Sequence, residues 1–407
     1  MHPSLWSGDG ADGWHKTDFD EGSFSHLDLA TADAVHDLAG AAVLNPDAED
    51  KLLARYQQTT GERIGPARWC VHKLVHAWNI RRLQALGHGG ELAELDPARI
   101  QARAVQQFFA RLYLADLDDT PRGPWCVLDL DGVLETDTLG FPMTSRAGAA
   151  SLRALRAHGY RVLLATGRPV PDVQDRCANY RLAGAVAEYG AAIHNAASGA
   201  TTLLLPDHDP ALVAELDALP STGTDPRYRC CVRAYRRTGH GRRPLELDVI
   251  DDITARHRVT AVDGDAQTDL LPAGLDKILG IGALTQLLGG PEVPIALAVG
   301  DSRTDLAMLR LADLGLAPGN AARPAMAAAG IDVLPGRYQT GLAQAVTRLT
   351  GHRPGACPAC RPPRPEPAEQ ALLALLSVPE AGRRGTGTTL ARLARARLHA
   401  APIGNAR

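Results

Sequence analysis

The chain has 407 residues, 45% hydrophobic and 22% charged, with a formal net charge of −3; that size and balance suit two or three globular domains and exclude a disordered polyelectrolyte. With 43 basic against 46 acidic residues and 4% aromatics, neither a nucleic-acid-attracting field nor a base-stacking surface is expected. Seven cysteines, an odd number spread along a long chain, point to a reducing compartment and not to a disulfide framework.

From the N-terminus, Met1 to Lys16 shows no basic segment leading into an apolar one, as a signal peptide would. No run approaches the roughly 18 apolar residues of a membrane span, so a cytoplasmic protein without membrane partners is expected. Residues 1–120 read as a mainly helical domain. "TADAVHDLAGAAVL", "ARWCVHKLVHAWNIRRLQALG" and "DPARIQARAVQQFFARLYLADL" each place apolar residues three and four apart. Asp96 reads as an N-cap of the last of these, with Pro97 at the first helical position.

After the turn "DDTPRGP" the rhythm changes. Short apolar runs ("WCVL", "RVLLA", "GAVAE", "IALAV") alternate with helical stretches such as "SRAGAASLRALRAHG" and "RTDLAMLRLADLG", each closed by glycine. Strand–helix alternation with near-continuous apolar strands predicts an α/β fold with a parallel sheet covered on both faces. This core is expected over 121–195 and 272–350. Between them, 196–271 reads as an inserted α+β subdomain with strands around the turn "TGHG". Residues 351–407 are expected to be a proline-rich linker ("GHRPGACPACRPPRPEPAEQ") and a tail in which "TTLARLARARLHAA" forms a short basic helix.

The chemistry-bearing residues fall where strands should end. In "WCVLDLDGVLE" an apolar run meets Asp129 and Asp131; "RVLLATGRP" ends in Thr166, Gly167 and Arg168; "IALAVGDSRTD" ends in Gly300 and Asp301, with Asp305 four residues on; "AGLDKILGIGAL" offers Lys277 at a helix start. Ligands collect at the carboxyl ends of strands in such sheets. Four carboxylates together repel one another, each pair by about 4 kcal/mol at about 4 Å and an effective dielectric near 20. A divalent hard cation with oxygen ligands removes that problem, and Mg²⁺ is the usual choice beside phosphate. Lys277, Thr166 and free amides suit phosphoryl oxygens.

The ordered set "DLDGVLE", "ATGRP", "LDK", "GDSRTD" resembles the haloacid dehalogenase (HAD) superfamily of phosphohydrolases over residues 125–350. The place of the insertion, after "ATGRP" and before Lys277, is similar to that of the family's C2-type cap, a branch that includes phosphatases of sugar phosphates. The resemblance implies a Rossmann-like core and Mg²⁺ as cofactor. Asp129 would be the nucleophile, forming an aspartyl-phosphate, and Asp131 the acid and base for leaving group and water. Thr166 and the Gly167 amide would hold phosphate, and Lys277 would neutralise charge on nucleophile and phosphate. Asp129, the carbonyl of Asp131 and Asp301 would bind the metal, with Asp305 beside it or acting through water. Two positions depart from the family's pattern: Thr304 where many relatives carry Asn, and Tyr189 in "EYG" where relatives often read Glu-Asn-Gly. The function expected is hydrolysis of a small phosphorylated metabolite. The alternatives are a phosphotransferase or phosphomutase on the same core, or a non-catalytic interaction protein using the N-terminal helices.

Other features have plainer readings. The segment "RYRCCVRAYRRTGHGRRP" holds seven arginines and no acids and is expected to be a solvated hairpin more than an anion grip, with Cys230 and Cys231 on alternate faces of a strand. Asp263 and Asp265 read as turn residues. "CPAC", Cys357 and Cys360, has zinc-ligand spacing but no second pair nearby; it is expected to be a linker coincidence, since four ligands would require His352 or a second subunit. Near the N-terminus, "KTDFDEG" followed by "DLA" is similar to the C-terminal lobe of aminoglycoside-phosphotransferase-type kinases. In those enzymes the acid at the position of Asp18 binds Mg²⁺. The seventeen residues before Asp18 supply neither a nucleotide lobe nor a catalytic loop, so a helical accessory domain serving docking or homo-oligomerisation is expected, with Asp18 and Asp20 solvated or structural.

Overall fold

The computed structural model describes residues 33–377, apart from 89, 118–121, 138, 240, 265 and 290–292, together with a short antiparallel ladder of β1 (Trp6–Ser7) and β2 (His15–Lys16). Asp18, Asp20, Asp265 and the basic stretch 388–401 lie outside the described residues. The chain forms two compact units. One comprises Met1–Leu112, Asp137–Met143 and Pro363–Arg407; the other comprises Tyr113–Thr136 and Thr144–Pro362.

The first unit is helical: α1 (Ala34–Leu44), α2 (Glu49–Thr60), α3 (Pro66–Ala85) and α4 (Pro97–Tyr113). Asp33 caps α1 by accepting from the Val35 amide at 2.9 Å and also pairs with Arg68 and His72. Asp96 caps α4 as expected, accepting from the amides of Ala98 and Arg99. Val35, Ala39 and Ala42 of α1 bury against Trp69 of α3. Beneath them the buried carboxylate of Glu49 takes Trp69 Nε1 and Lys73 Nζ, each at 2.7 Å, so its charge is paired where it is desolvated.

The second unit is an α/β core with an insertion. Its first half runs β3 (Trp125–Leu128), α5 (Arg146–Ala157), β4 (Arg161–Ala165), α6 (Val170–Tyr180), β5 (Gly184–Ala187), β6 (Ala192–Asn195) and β7 (Thr201–Leu203). The insertion follows: α7 (Pro210–Ala218), β8 (Thr222–Thr224), β9 (Val232–Thr238), β10 (Gly241–Arg243), α8 (Leu247–His257), β11 (Val259–Asp263) and β12 (Thr268–Pro272). The core resumes with α9 (Lys277–Gly289), β13 (Ile295–Val299), α10 (Leu306–Leu311), β14 (Gly315–Ala317), α11 (Arg323–Ala328), β15 (Asp332–Val333) and α12 (Tyr338–Thr350). The core sheet has the order β15-β14-β13-β3-β4-β5-β6-β7. Pairing is parallel from β15 to β5, and β6 and β7 add an antiparallel edge. Every residue of β3 and β5 is buried, as a sheet covered on both faces requires. From β3 the chain fills one side of the sheet and later, from β13, the other. That reversal opens a crevice at the carboxyl ends of β3 and β13.

The inserted cap is an antiparallel sheet of order β10-β9-β12-β11 with β8 on β9. It has its own core, in which Leu212 and Leu216 of α7 and Ile250 and Ile253 of α8 cover Val232, Ala234 and Leu270.

Four expectations need correction. The cap begins after residue 203 and not at 196, because Thr201–Leu203 pairs with β6 as a core edge strand. The helix in "RTDLAMLRLADLG" stops at Leu311, and Gly315 opens β14 instead of capping the helix; its Cα lies so close to the Leu309 carbonyl that a Cβ would come within 2.0 Å. Cys230 and Cys231 lie in a buried bend before β9, not in a strand. Residues 351–362 are not a linker: they pack into the second unit, with Cys360 fully buried and its carbonyl accepting from Arg153 Nε at 3.1 Å. Beyond them α13 (Pro367–Leu376) belongs to the first unit, burying Leu372, Leu373 and Leu376. No helix among the described residues is long and apolar enough to cross a membrane.

Candidate active site

Each chemistry-bearing residue sits on a rigid strand or helix end. Asp129 directly follows β3, Thr166 follows β4, Asp301 lies two residues beyond β13, and Lys277 is the first residue of α9. Lys277, 148 residues from Asp129 in sequence, brings its Nζ to 3.0 Å from Asp129 Oδ1 and 2.6 Å from Asp305 Oδ1. All three side chains are buried. The second oxygen of Asp305 accepts the amides of Asp301 and Ser302 at 3.0 and 2.8 Å and the Ser302 hydroxyl at 2.7 Å. Both oxygens of Asp305 are thus engaged, and its work here is to hold the lysine and the 301–302 loop.

Asp301 is held from the other side. Asn320, after β14, donates from Nδ2 to Asp301 Oδ2 at 2.7 Å and to the Gly132 carbonyl at 3.0 Å, while its Oδ1 accepts from the Tyr338 amide. Gly132 has φ +79°, and a Cβ there would lie 2.0 Å from Asp301 Oδ2. Only glycine lets the loop after Asp131 turn this close to the carboxylate.

Asp129, Asp301 and Asp305 can each present an oxygen within 4.8 Å of the others. Against one ammonium, these three carboxylates leave two negative charges uncompensated. Burial first, and then the Asp305 charge, push Asp129 well above the usual carboxylate range and Asp301 up to about 7. Lys277 loses hydration on burial, yet Asp129 and Asp305 outweigh that loss and hold it more basic than usual. A buried cluster of hard oxygen donors with excess negative charge fits a divalent cation such as Mg²⁺.

Asp131 points elsewhere. Its carboxylate forms a two-pronged pair with Arg168, Nε to Oδ2 at 2.9 Å and Nη2 to Oδ1 at 2.5 Å. Desolvation by the cleft walls opposes its ionisation, but the guanidinium prevails and holds the carboxyl at about 2. With 54% of its side-chain surface in solvent, the pair is open to exchange. Thr166 is buried, its Oγ1 accepting from the Arg168 amide. Gly167 lies against the Tyr189 ring, where a Cβ would come within 2.3 Å of Tyr189 Cζ.

The cap meets this floor through residues that the strand-end pattern did not single out. Glu188 is fully buried and accepts from three successive cap amides, Arg229 at 3.1 Å, Cys230 at 2.8 Å and Cys231 at 3.0 Å. Tyr189 donates its hydroxyl to Asp269 of β12 at 2.6 Å, and Asp269 is clamped by Arg233 of β9. Arg233 also lies over the Tyr228 ring, whose buried hydroxyl has no hydrogen-bond partner among the described residues. The β9–β10 hairpin faces solvent as expected, with Arg237, Arg242 and Arg243 exposed and Ala234 buried, and several cap arginines are already paired or stacked. Arg227 pairs with Asp225 and Asp172, Arg229 with Asp207, Arg236 with Glu246, and Arg242 lies over the Tyr235 ring.

The structure therefore gathers Asp129, Lys277, Asp301 and Asp305 into one cluster, places Thr166 and Gly167 at the neighbouring strand end, and turns the Asp131 side chain toward Arg168. Sequence reasoning missed Asn320 and Glu188. A polar residue after the short apolar run "GLAPGN" is the signal for the first; for the second it is an acid closing "GAVAE".

Residues 249–346 match the model of the haloacid dehalogenase-like hydrolases. No curated protein matches the chain. Among solved structures, a haloacid dehalogenase-like hydrolase from Bacteroides thetaiotaomicron is 20% identical, over 56% of this chain and 100% of that one, with a TM-score of 0.45. A HAD/COF-like hydrolase from Plasmodium vivax is 18% identical over 59% and 97%, TM-score 0.43. The sucrose-phosphatase of Synechocystis is 16% identical over 56% and 98%, TM-score 0.41. The family match falls on the half of the core that supplies Lys277, Asp301 and Asp305.

Proposed function

We propose that the chain is a Mg²⁺-dependent phosphatase that hydrolyses a small phosphorylated metabolite, a sugar phosphate, through an aspartyl-phosphate on Asp129. The observation that carries this reading is the bridge from Lys277 to Asp129 and Asp305 beside Asp301. It holds a buried carboxylate at a strand end, with a cation on one side and excess acid on the other. When bound by Asp129, the Asp131 carbonyl and Asp301, Mg²⁺ would offset the repulsion between carboxylate and phosphate.

In this reading an Asp129 oxygen attacks phosphorus as the ester P–O bond breaks, and the leaving oxygen takes a proton from Asp131. Asp131 then removes a proton from the water that attacks the acyl-phosphate, regenerating Asp129. The pair with Arg168 keeps Asp131 ionised, so the acid step requires Asp131 to leave Arg168. Its solvent-open side permits that swing, and the freed guanidinium is suited to the incoming phosphate dianion. Lys277 keeps Asp129 oriented and lowers the charge that phosphate must meet. The unpartnered Tyr228 hydroxyl and the Tyr189–Asp269–Arg233 chain on the cap side supply polar groups for a hydroxyl-rich leaving group.

The test is phosphate release from a panel of phosphorylated sugars, polyols and glycerates, with Mg²⁺ or with chelator, alongside Asp129→Asn. Metal-dependent release on one substrate class that disappears in the variant supports the reading. Release that survives Asp129→Asn sinks it.

A further inference from the structure

We propose that His158, His352, Cys357 and Cys360 form a structural zinc site at the edge of the core sheet opposite the catalytic cluster. The four residues come from two places far apart in sequence and meet within the second unit. Their ligand atoms lie within 4.8 Å of one another. His352 Nε2 is 3.0 Å from His158 Nε2, Cys357 Sγ is 3.4 Å from His158 Nε2, and the two sulfurs are 3.2 Å apart.

These edges can be compared with those of a tetrahedral zinc. With Zn–S about 2.3 Å and Zn–N about 2.0–2.1 Å, its S···S, S···N and N···N edges are about 3.8, about 3.6 and about 3.3 Å. These three edges fall short of the ideal ones by about 0.3 Å (N···N), about 0.2 Å (S···N) and about 0.6 Å (S···S), so an ion must press the ligands apart, the two sulfurs most. Two thiolates and two imidazoles select Zn²⁺ over Mg²⁺ or Ca²⁺.

The surroundings prepare each donor. His352 Nδ1 lies 3.0 Å from the Arg353 carbonyl, which can only accept. The ring proton is therefore on Nδ1 and the Nε2 lone pair faces the site, the tautomer that a metal ligand requires. The amides of Cys360 and Gly355 donate to Cys357 Sγ and Cys360 Sγ, each at 3.3 Å, which favours sulfur that accepts and carries charge. His158 is the C-cap residue of α5, where the helix dipole favours a cation. Cys360 is fully buried, whereas His158 is exposed and Cys357 and His352 are partly so; the ion has a way in. Four protein ligands leave no open position, the mark of a structural and not a catalytic zinc.

The topology sets the consequence. His158 stands between α5 and β4, at the amino end of β4, while Asp129, Thr166 and Asp301 stand at carboxyl ends. An ion here would staple the segment after α12 to the end of α5, the helix beside which α12 packs. It explains why a stretch rich in proline and glycine is folded and not a linker.

The full chain, expressed with zinc supplied and purified without chelator under reducing conditions, is assayed for metal by mass spectrometry. Cobalt is then substituted for zinc. Expected are about one zinc per chain and, with cobalt, the absorption of a tetrahedral site together with thiolate-to-cobalt charge transfer. Cys357→Ser and His158→Ala should cut zinc content by about ten-fold or more and lower Tm by roughly 5 °C, while Asp129→Asn keeps the zinc. Wild-type protein that holds no zinc after incubation with excess metal overturns the proposal, as does an octahedral cobalt spectrum or a Cys357–Cys360 disulfide in the reduced preparation. These wild-type readouts decide the matter even if a variant fails to fold.

Discussion

The two edges of the core sheet carry opposite chemistries. At the carboxyl edge, Asp129, Asp301 and Asp305 crowd around Lys277, all oxygen donors beside one ammonium, with Asp129 and Asp305 buried and Asp301 half-buried. At the amino edge, two imidazoles and two thiols converge at the rim, with one member fully buried and another exposed. Hard donors in excess negative charge call for a strongly hydrated ion that shares its sphere with substrate. Soft donors in a closed set of four call for an ion that keeps to itself. In the proposed reading the two clusters take different cations, because ligand softness and the number of protein donors separate them before any size selection.

That contrast can be broken or sharpened by experiment. The largest effect is expected from Asp129→Asn, which should lower phosphate release by on the order of 10³-fold or more and leave zinc content untouched; loss of zinc in this variant would mean that the edges are not independent. Asn320→Ala removes the donor that orients Asp301 and should weaken the apparent Mg²⁺ constant by roughly 10- to 100-fold, read from activity against metal concentration. A fall in kcat at saturating Mg²⁺, with an unchanged metal constant, would assign Asn320 to the loop alone. Glu188→Ala strips three cap amides of their acceptor and should cost about 2–4 kcal/mol of stability, measured by denaturant unfolding, with zinc retained.

The smallest effect concerns the Asp131–Arg168 pair. The folded carboxyl, at about 2, lies below the ordinary value near 3.9. The pair's stabilisation is therefore complete above about pH 4 and is lost as pH falls through about 2. The Tm gap between wild type and Arg168→Gln should be constant from neutral pH to about pH 5 and close below about pH 4. A gap that widens on acidification would show that Arg168 does not hold Asp131 ionised.

Much of this was legible because it is local. The runs "WCVL", "RVLLA", "GAVAE" and "IALAV" are strands within a residue of where their apolar character begins and ends. Asp129, Thr166 and Asp301 follow three of these runs directly or within two residues, and Lys277 opens its helix. Partnerships across the chain left no local trace. Arg168 meets Asp131 over 37 residues, Asn320 meets Gly132 over 188, and His158 meets His352 over 194. "CPAC" looked accidental because its two missing ligands lie one just upstream and one at the end of a helix far back in the chain. The acid-free arginine segment reads as solvated and its hairpin is exposed; what left no local trace is the pairing, because the counter-charges Asp172, Asp207, Asp225, Glu246 and Asp269 all lie outside the segment. Thr201–Leu203 looked like cap because an exposed two-threonine strand carries no apolar run to mark it as part of the core sheet.

The Glu188 cradle has a consequence for how this protein can change. Glu188 and Tyr189 both take left-handed backbone angles, φ 48° and 58°, a strained turn for non-glycine residues that aims one carboxylate at three peptide N–H groups of the cap. Every residue except proline offers such a group, so this anchorage makes no demand on the side chains at 229–231. The core can keep this hold whichever non-proline residues stand at 229–231, so any limit on change there comes from the burial of Cys230 and Cys231 and not from the anchorage.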